Sequence, residues 1–513
     1  MKNILKFLLI IIFLTLWSCD KDIVERNESY PQLNPINADV LAGSWRTLVL
    51  TAPDEFALDA PVAATNAAFT REINEIKSYQ TNLTNEQREN IAYWSVGGVL
   101  RWNEIMQTLV ARHNRPPYQN LDGTYPAPSA ANPFANPQFP FSNPPFAARA
   151  YAYVSAAQYD ALVAAWYYKK LYNRAAPYAV DANLTVLIPK STLPSYPSED
   201  GVMAGVTVEL LKLLFPTEIA FIQQKAEDQI LSRIISGANV RSDVEAGIIL
   251  GRKIAMKFIA KALGDGAGAA IGTPTLWAAL ENNTAVTGQV PWKSLDLPPR
   301  PPMLPLFGNV KSFLMTPTDF VSNRPLPPPS TSSAQFQSEL AEVKSYSNNN
   351  DRERMRIVSY WADGVGTYTP AGHWNNIANE AFVPQSFSEV RWARNMALLN
   401  ISLMDAAIGC WDAKYFYFNP RPCQMDSSVK TLTGTPNFPS YVSGHSTFSG
   451  AAATFLSYVI PARANNFQAM ANQASMSRLY GCIHYRSDCE AGMILGKKIG
   501  NFAVQRALID GAN

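Results

Sequence analysis

One spacing recurs along this chain and constrains its fold more than any other property: segments of like sequence stand 245 residues apart. Leu193-Pro194-Ser195-Tyr196-Pro197-Ser198 recurs as Phe438-Pro439-Ser440-Tyr441-Val442-Ser443, and 438 − 193 = 245. Arg241-Ser242-Asp243-Val244-Glu245-Ala246-Gly247 recurs as Arg486-Ser487-Asp488-Cys489-Glu490-Ala491-Gly492, and 486 − 241 = 245. Asp160 and Trp166 align with Asp405 and Trp411 at the same shift. One offset held without a gap from Asp160 to Gly247 is the mark of a duplicated unit. Within both copies the apolar residues fall at helical spacing, as over 88–109 and 147–171, and strand-like alternation is nearly absent. The pattern predicts an all-α fold of two related helical bundles. With 513 residues, the chain is in any case too long for one compact core.

The ends and joints of the two bundles are readable from composition. Lys2 and Lys6 precede an apolar run from Phe7 to Trp17, shorter than the roughly 20 residues a membrane span needs, so the start reads as a secretory signal. Leu16-Trp17-Ser18-Cys19 resembles a bacterial lipobox, which makes Cys19 the expected lipidated N-terminus of an exported protein at a periplasmic or outer-membrane surface. The expected order is signal 1–18, tether 19–35, first bundle 36–270, proline-rich connector 271–350 and catalytic bundle 351–513. Proline-rich stretches at 116–145 and 291–329 interrupt the helical pattern. Lys+Arg of 43 against Asp+Glu of 41 leaves +2, which gives no footprint for nucleic acid. Cys410, Cys423, Cys482 and Cys489 match no zinc spacing, and core packing or structural disulfides suit them better than catalysis.

A residue present in both copies serves the shared fold, whereas one found in a single copy can serve a site. Lys414, Ser443, Arg478 and Asp488 have counterparts in Lys169, Ser198, Arg233 and Asp243. Arg421 instead faces Ala176, Gly444 and His445 face Glu199 and Asp200, and His484 faces Asn239. The first bundle lacks both histidines and carries two carboxylates in their region, so it should not bind an anion. The second is the candidate catalyst.

Three of its segments carry the chemistry. A helix bearing Lys414 is stopped by Pro420 and Pro422, with Arg421 at its end. Ser443-Gly444-His445 opens an apolar helix, where unpaired N–H groups and the helix dipole favour an anion. Arg478 and His484 precede Ser487-Asp488-Cys489-Glu490, which has the form of a capping box and places a helix start there. Taken singly, these read as surface charge, a capped core helix and a structural cap. Together, three cations suit a phosphate-like trianion and disfavour a zinc site at His445, His484 and Asp488. A Ser443–His445 hydrolase pair lacks the nucleophile elbow.

These segments resemble the vanadium-dependent haloperoxidases, type 2 phosphatidic acid phosphatases (PAP2) and bacterial class A acid phosphatases, whose shared signature is Lys-x6-Arg-Pro, Pro-Ser-Gly-His and Ser-Arg-x5-His-x3-Asp. Lys414 with Arg421-Pro422, Ser443-Gly444-His445, and Ser477-Arg478 with His484 and Asp488 keep those internal spacings, with Val442 where proline is usual. The resemblance implies that Lys414, Arg421, Arg478, the Ser443 hydroxyl and the Gly444 N–H hold an oxyanion. It further implies that His484 meets its central atom, with Asp488 alongside, and that His445 is the acid–base group. Tyr360-Trp361-Ala362-Asp363-Gly364 is similar to the segment that sets an aspartate against the last arginine in fungal-type haloperoxidases, implying an Asp363–Arg478 pair. Trp411 and Phe438 fall where those enzymes have aromatics near the halide, although Trp166 and Leu193 in the other copy make core packing an equal account. His373 and His113 read as structural. Length and the two-bundle plan put a vanadate-dependent peroxidase, taking halide and peroxide, ahead of a cofactor-free phosphatase acting through a phosphohistidine. A catalytically silent binding lipoprotein is the third reading. In each, the only membrane contact is the N-terminal anchor.

Overall fold

The 245-residue shift of the sequence is also the shift of the helices. The computed structural model describes residues 30–114, 143–297 and 299–512; the signal, Cys19, most of the tether and most of the stretch 116–145 lie outside them. Among the described residues there is no β-strand. The first half holds α1 (Ala67–Thr81), α2 (Asn85–Trp94), α3 (Gly98–His113), α4 (Pro144–Tyr172), the single turn α5 (Pro177–Val180), α6 (Glu199–Leu214), α7 (Ile219–Ile235) and α8 (Arg241–Leu263). The stretch read as a connector contains α9 (Pro274–Val286), α10 (Pro317–Asn323) and α11 (Ala334–Asn348). Then come α12 (Arg352–Tyr360), α13 (Thr369–Phe382), α14 (Glu389–Tyr417), the turn α15 (Pro422–Met425), α16 (Gly444–Val459), α17 (Ala464–Tyr480) and α18 (Arg486–Leu508).

From α14 onward each helix repeats an earlier one: 389 − 144, 422 − 177, 444 − 199, 464 − 219 and 486 − 241 all equal 245. The duplication runs further, at a longer shift. Helix α11 begins 334 − 67 = 267 residues after α1, and α12 begins 352 − 85 = 267 after α2. The contacts repeat as well. Ser242 is held by Glu72 and Arg241 by Glu75, as Ser487 is held by Glu339 and Arg486 by Glu342.

Helices α4 and α14 form the centre. Each starts at a side-chain cap, Asn143 accepting from Phe146 N–H (3.0 Å) and Ser388 from Arg391 N–H (3.2 Å). Each ends at a left-handed residue, Asn173 (φ 47°) and Phe418 (φ 49°), whose N–H returns to Lys169 or Lys414. Both are buried nearly all round, as helices with partners on every side must be. Counterparts meet across this pair: Asn400 Nδ2 donates to Ser155 Oγ (2.8 Å), and 400 − 155 = 245. Asn103 on α3 likewise donates to Asn375 on α13 (2.8 Å), inside a buried amide cluster with Gln107, Asn379 and Asn400. Like meeting like is what a local two-fold axis produces.

The second half is assembled by the approach of α18 to α16. A Cβ on Gly492 would lie 2.7 Å from the Ser443 carbonyl, and one on Gly496 would lie 2.2 Å from that of Thr447, so only glycine permits this packing. The close approach lets Ser443 N–H donate to the Asp488 carbonyl (2.9 Å), joining the two helix starts that carry the site. Helix α18 begins earlier than the capping-box reading of Ser487 implied. Its first residue is Arg486, Asp488 Oδ2 accepts from Tyr485 N–H (3.1 Å), and the Ser487 hydroxyl donates to Glu339 (2.7 Å). The four cysteines are free, so they form no disulfide; Cys482 and Cys489, with Cys423 beside them, pack against Phe336, Val343, Leu479 and Tyr485. No helix of the described residues is long and apolar enough to cross a membrane.

Candidate oxyanion-binding active site

Three cations reach one point from three elements. Lys414, in the last turn of α14, is fully buried, and its Nζ donates to the carbonyls of Pro439 and Ser440 (both 2.8 Å). The left-handed turn at Phe418 and the proline after Asn419 fold the chain back, so Arg421 points inward. There it donates to the carbonyls of Phe438 (3.1 Å) and Ile483 (2.6 Å). Arg478, from the end of α17, donates to Ser477 Oγ (2.8 Å) and the Trp361 carbonyl (2.7 Å). Burial takes water from all three without supplying an anion. It pushes Lys414 down to about 7, and Arg421 and Arg478 down to about 10.

The two histidines face the same place in neutral form. His484 Nδ1 donates to Asp488 Oδ2 (2.9 Å) and its Nε2 accepts from Arg421 (3.0 Å). Because a guanidinium only donates, that contact fixes the lone pair on Nε2. Burial, then Arg421, Lys414 and Arg478, hold His484 well below the usual imidazole range. Asp488 is itself pushed up to about 6 by burial, against hydrogen bonds from Ser440 (2.5 Å) and Tyr485 N–H. His445, in the first turn of α16, is likewise held well below 6.5 by burial and by Arg478, and its Nε2 has no hydrogen-bond partner. Ser443 caps α16 through Ser446 N–H (3.4 Å). The N–H groups of Gly444 and His445 begin that helix, and a Cβ at Gly444 would meet nothing closer than 4.0 Å. The cavity over these groups has a volume of about 550 Å³, with Trp411, Phe438, Gly444, His445, Arg478 and His484 in its wall.

One expected pair is absent. Asp363 does not bridge to Arg478: its Oδ1 accepts from His373 Nδ1 (2.9 Å), its Oδ2 lies 3.7 Å from His445 Nε2, and Arg478 is turned to the Trp361 carbonyl. The turn after α12 puts Asp363 in a left-handed conformation (φ 47°), and the His373 ring, stacked on Trp361 (4.5 Å between centroids), presents its Nδ1 there. His373 is buried and packed as a structural residue would be, and it also holds the carboxylate nearest His445. His113 is bound to Glu218 (2.9 Å) and is not in the cavity wall, although its neighbour Asn114 is. Trp411 and Phe438 do meet (5.0 Å), with Lys414 and Arg421 over the Phe438 ring at 5.0 and 5.1 Å. Ser440 is the residue that sequence reasoning passed over. It lies inside the repeated Pro-Ser-Tyr triplet, which pointed to fold alone.

Buried cations and histidines thus lie together in the second half of an all-helical fold, with His445, Arg478 and His484 in the wall of one cavity. Residues 395–507 match the profile of the PAP2 superfamily, so the second half of the chain carries a PAP2-superfamily domain. Among solved structures, the chain resembles a bacterial vanadium-dependent iodoperoxidase described as the first of its kind. The likeness has 24% identity and a TM-score of 0.56 over 71% of this chain and 91% of that one. It also resembles a bacterial vanadium-dependent chloroperoxidase in its holo form, at 12% identity and a TM-score of 0.50 over 74% and 96% of the two chains. The chain therefore has the all-α fold of those enzymes. No curated protein matches the sequence at a significant level.

Proposed function

We propose that the chain is a vanadate-dependent peroxidase that oxidises iodide or bromide with hydrogen peroxide. One observation carries this reading. Five basic side chains cluster at this site, every one with its proton affinity lowered and three of them in the cavity wall, against two nearby carboxylates among the described residues, Asp488 on His484 and Asp363 at 3.7 Å from His445. Such a site lacks a counter-anion, which orthovanadate or phosphate would supply. Lys414, Arg421 and Arg478 would neutralise its oxygens, the Gly444 N–H and the Ser443 hydroxyl would bond them, and His484 Nε2 would meet the central atom. When bound, vanadate supplies an electrophilic centre that activates peroxide towards halide. The protein's own part is proton transfer and exclusion of water. Neutral His445 takes the peroxide proton, and Asp363 at 3.7 Å stabilises the resulting imidazolium. The apolar faces of Trp411 and Phe438 line the halide's path. The likeness in fold to the vanadium-dependent peroxidases, over 71% and 74% of this chain, supports this reading over the phosphatase.

The phosphatase reading rests on His484. With Nδ1 held by Asp488, Nε2 is a ready nucleophile for a phosphate ester; His445, once protonated, would release the leaving oxygen. Purified chain should be assayed with orthovanadate, peroxide and iodide, and in parallel with a phosphate ester. We expect vanadate-dependent iodide oxidation that is lost with bound vanadium in His484→Ala. Ester cleavage through a His484-dependent phosphoenzyme, with no iodide oxidation at any vanadate level, would establish the phosphatase instead. We further propose that the protein is exported and anchored through a lipid on Cys19. Cys19→Ala should release it from membranes in active form, and retention after a carbonate wash would exclude that anchor.

A further inference from the structure

Helices α3 and α13 correspond at a third shift. Trp102-Asn103 recurs as Trp374-Asn375, and 374 − 102 = 272, whereas Trp94 and Trp361, at the ends of α2 and α12, stand 361 − 94 = 267 apart. The second half therefore holds 272 − 267 = 5 residues more between its two tryptophans. They fall in the turn from Trp361 to Tyr368, where the first half has only Ser95-Val96-Gly97 between α2 and α3. The longer turn carries Asp363, and Asp363, Gly364 and Val365 stand in the wall of the oxyanion cavity. The insertion thus brings in the carboxylate that lies 3.7 Å from His445, and the shorter turn of the first bundle has no acidic residue to match it.

Inside the turn, Thr367 bonds back to the Gly364 carbonyl through its N–H (3.2 Å) and its hydroxyl (2.7 Å). Yet Asp363, Gly366 and Thr369 take left-handed conformations (φ 47°, 79° and 67°), and strain of this kind persists only where surrounding structure fixes it. The first bundle does so. Asn114, the residue after α3, is 4% exposed; its side-chain amide donates to the carbonyls of Gly364 and Thr367 (both 2.9 Å), and its own carbonyl accepts from Gly366 N–H (2.6 Å). A primary amide has the two N–H donors that two carbonyls require. Tyr151 on α4 adds a longer bond to the Tyr368 carbonyl (3.4 Å). The bracing is reciprocal. Glu389, at the start of α14, accepts from Val99 N–H in the first turn of α3 (2.6 Å) and lines a cavity of about 240 Å³ in the first bundle, at the place equivalent to the active site. In that cavity Lys169 is paired with Glu199 (2.8 Å) and Arg233 with Asp200 (2.6 Å).

We propose that Asn114 is a positioning residue of the oxyanion site: the first bundle, without a part in the chemistry, holds the inserted turn so that Asp363 faces His445 and steadies the imidazolium formed when His445 takes a proton. Asp363 Oδ2 and His445 Nε2 are both buried with no hydrogen-bond partner. The distance between them is therefore set by the turn, and by His373 on Oδ1, rather than by a bond joining the two. The proposal rests on the reading of His445 as the proton-transfer group, which the peroxidase and phosphatase mechanisms share.

Asn114→Ala should lower kcat about tenfold, with KM and the equilibrium affinity for vanadate within about twofold, in whichever of the two activities the chain shows. Asn114→Ser, which keeps one donor, should fall between that variant and the parent. Because the effect runs through Asp363, Asn114→Ala should cost little more in an Asp363→Asn background, whereas a general loosening of the fold would multiply the two defects. Hydrogen exchange of the unaltered chain tests the brace even if neither variant folds: the Gly366 amide should exchange slowly although the residue is exposed. A freely exchanging Gly366 amide, unchanged kcat in folded Asn114→Ala, or an equal loss in the Asp363→Asn background would each overturn the proposal. A parent chain with neither activity would overturn it together with the reading of His445.

Discussion

Replacing Lys414 with methionine should make the empty protein less sensitive to pH while abolishing its hold on oxyanions. The folded state keeps this lysine at about 7 against an ordinary 10.5. Between those values the unfolded chain binds the extra proton, so stability rises with pH across that window. Integrating at roughly 1.4 kcal/mol per pH unit, the buried amine costs folding about 4 kcal/mol at pH 7 and about 2 at pH 9. Lys414→Met removes that cost, and an unbranched side chain of similar length fills the same space. The carbonyls of Pro439 and Ser440 lose a donor, an opposing cost of about 1–3 kcal/mol, but it does not vary with pH. The measurement is therefore a double difference: urea unfolding of both proteins at pH 7 and 9, in buffers free of phosphate. The parent should gain about 2 kcal/mol more than the variant between the two pH values. Saturating phosphate should shrink the difference by restoring the lysine's proton. Equal pH dependence in the two proteins would refute the claim that Lys414 is an uncompensated charge.

Three further outcomes follow, two from contacts around the site and one from the first bundle. Ser440→Ala removes a hydrogen bond that keeps Asp488 ionised, so Asp488 should titrate above about 6. Vanadate or phosphate affinity, read by equilibrium titration, should then fall about 10–100-fold, with its acid limit at higher pH; an unmoved limit would make Ser440 a packing residue only. His373→Phe keeps the stack on Trp361 but leaves Asp363 Oδ1 unbonded. It should lower kcat about tenfold with little change in KM, as loss of a hydrogen bond to a charged group implies; an effect on KM alone would contradict that. Asp200→Asn, in the first bundle, should leave turnover within about tenfold, or roughly 1.4 kcal/mol of barrier, and a greater loss in folded protein would mean that bundle takes part in the reaction.

What the sequence revealed of the site was what lies along the chain: Lys414 to Arg421, Ser443 to His445, and Arg478 to Asp488 keep fixed local spacings. What it hid depends on long contacts. Asp363 and Arg478 are 115 positions apart by number (478 − 363), and only the fold shows the carboxylate turned to His373 instead. The α1/α11 and α2/α12 counterparts stand at a shift of 267 rather than 245, so a search at one constant offset misses them, although Phe69/Phe336, Glu72/Glu339, Lys77/Lys344 and Trp94/Trp361 are identical at that shift. Glu389 gave no signal, since nothing local marks a helix's first residue as the wall of a cavity in the opposite bundle.

The two-fold contact at Ser155–Asn400 and Asn103–Asn375 has a consequence for dilution. Two separate chains meeting in this way would part at low concentration, exposing a buried amide cluster to water. Joined in one chain, each half meets the other at an effective concentration on the order of millimolar, however dilute the protein. A substitution in a symmetric pair of chains also appears twice, so Glu199 and Asp200 in place of glycine and histidine would have altered both cavities at once. Covalent linkage lets the change occupy one half alone. The asymmetry between the two cavities is thus a property that only the single-chain arrangement can hold.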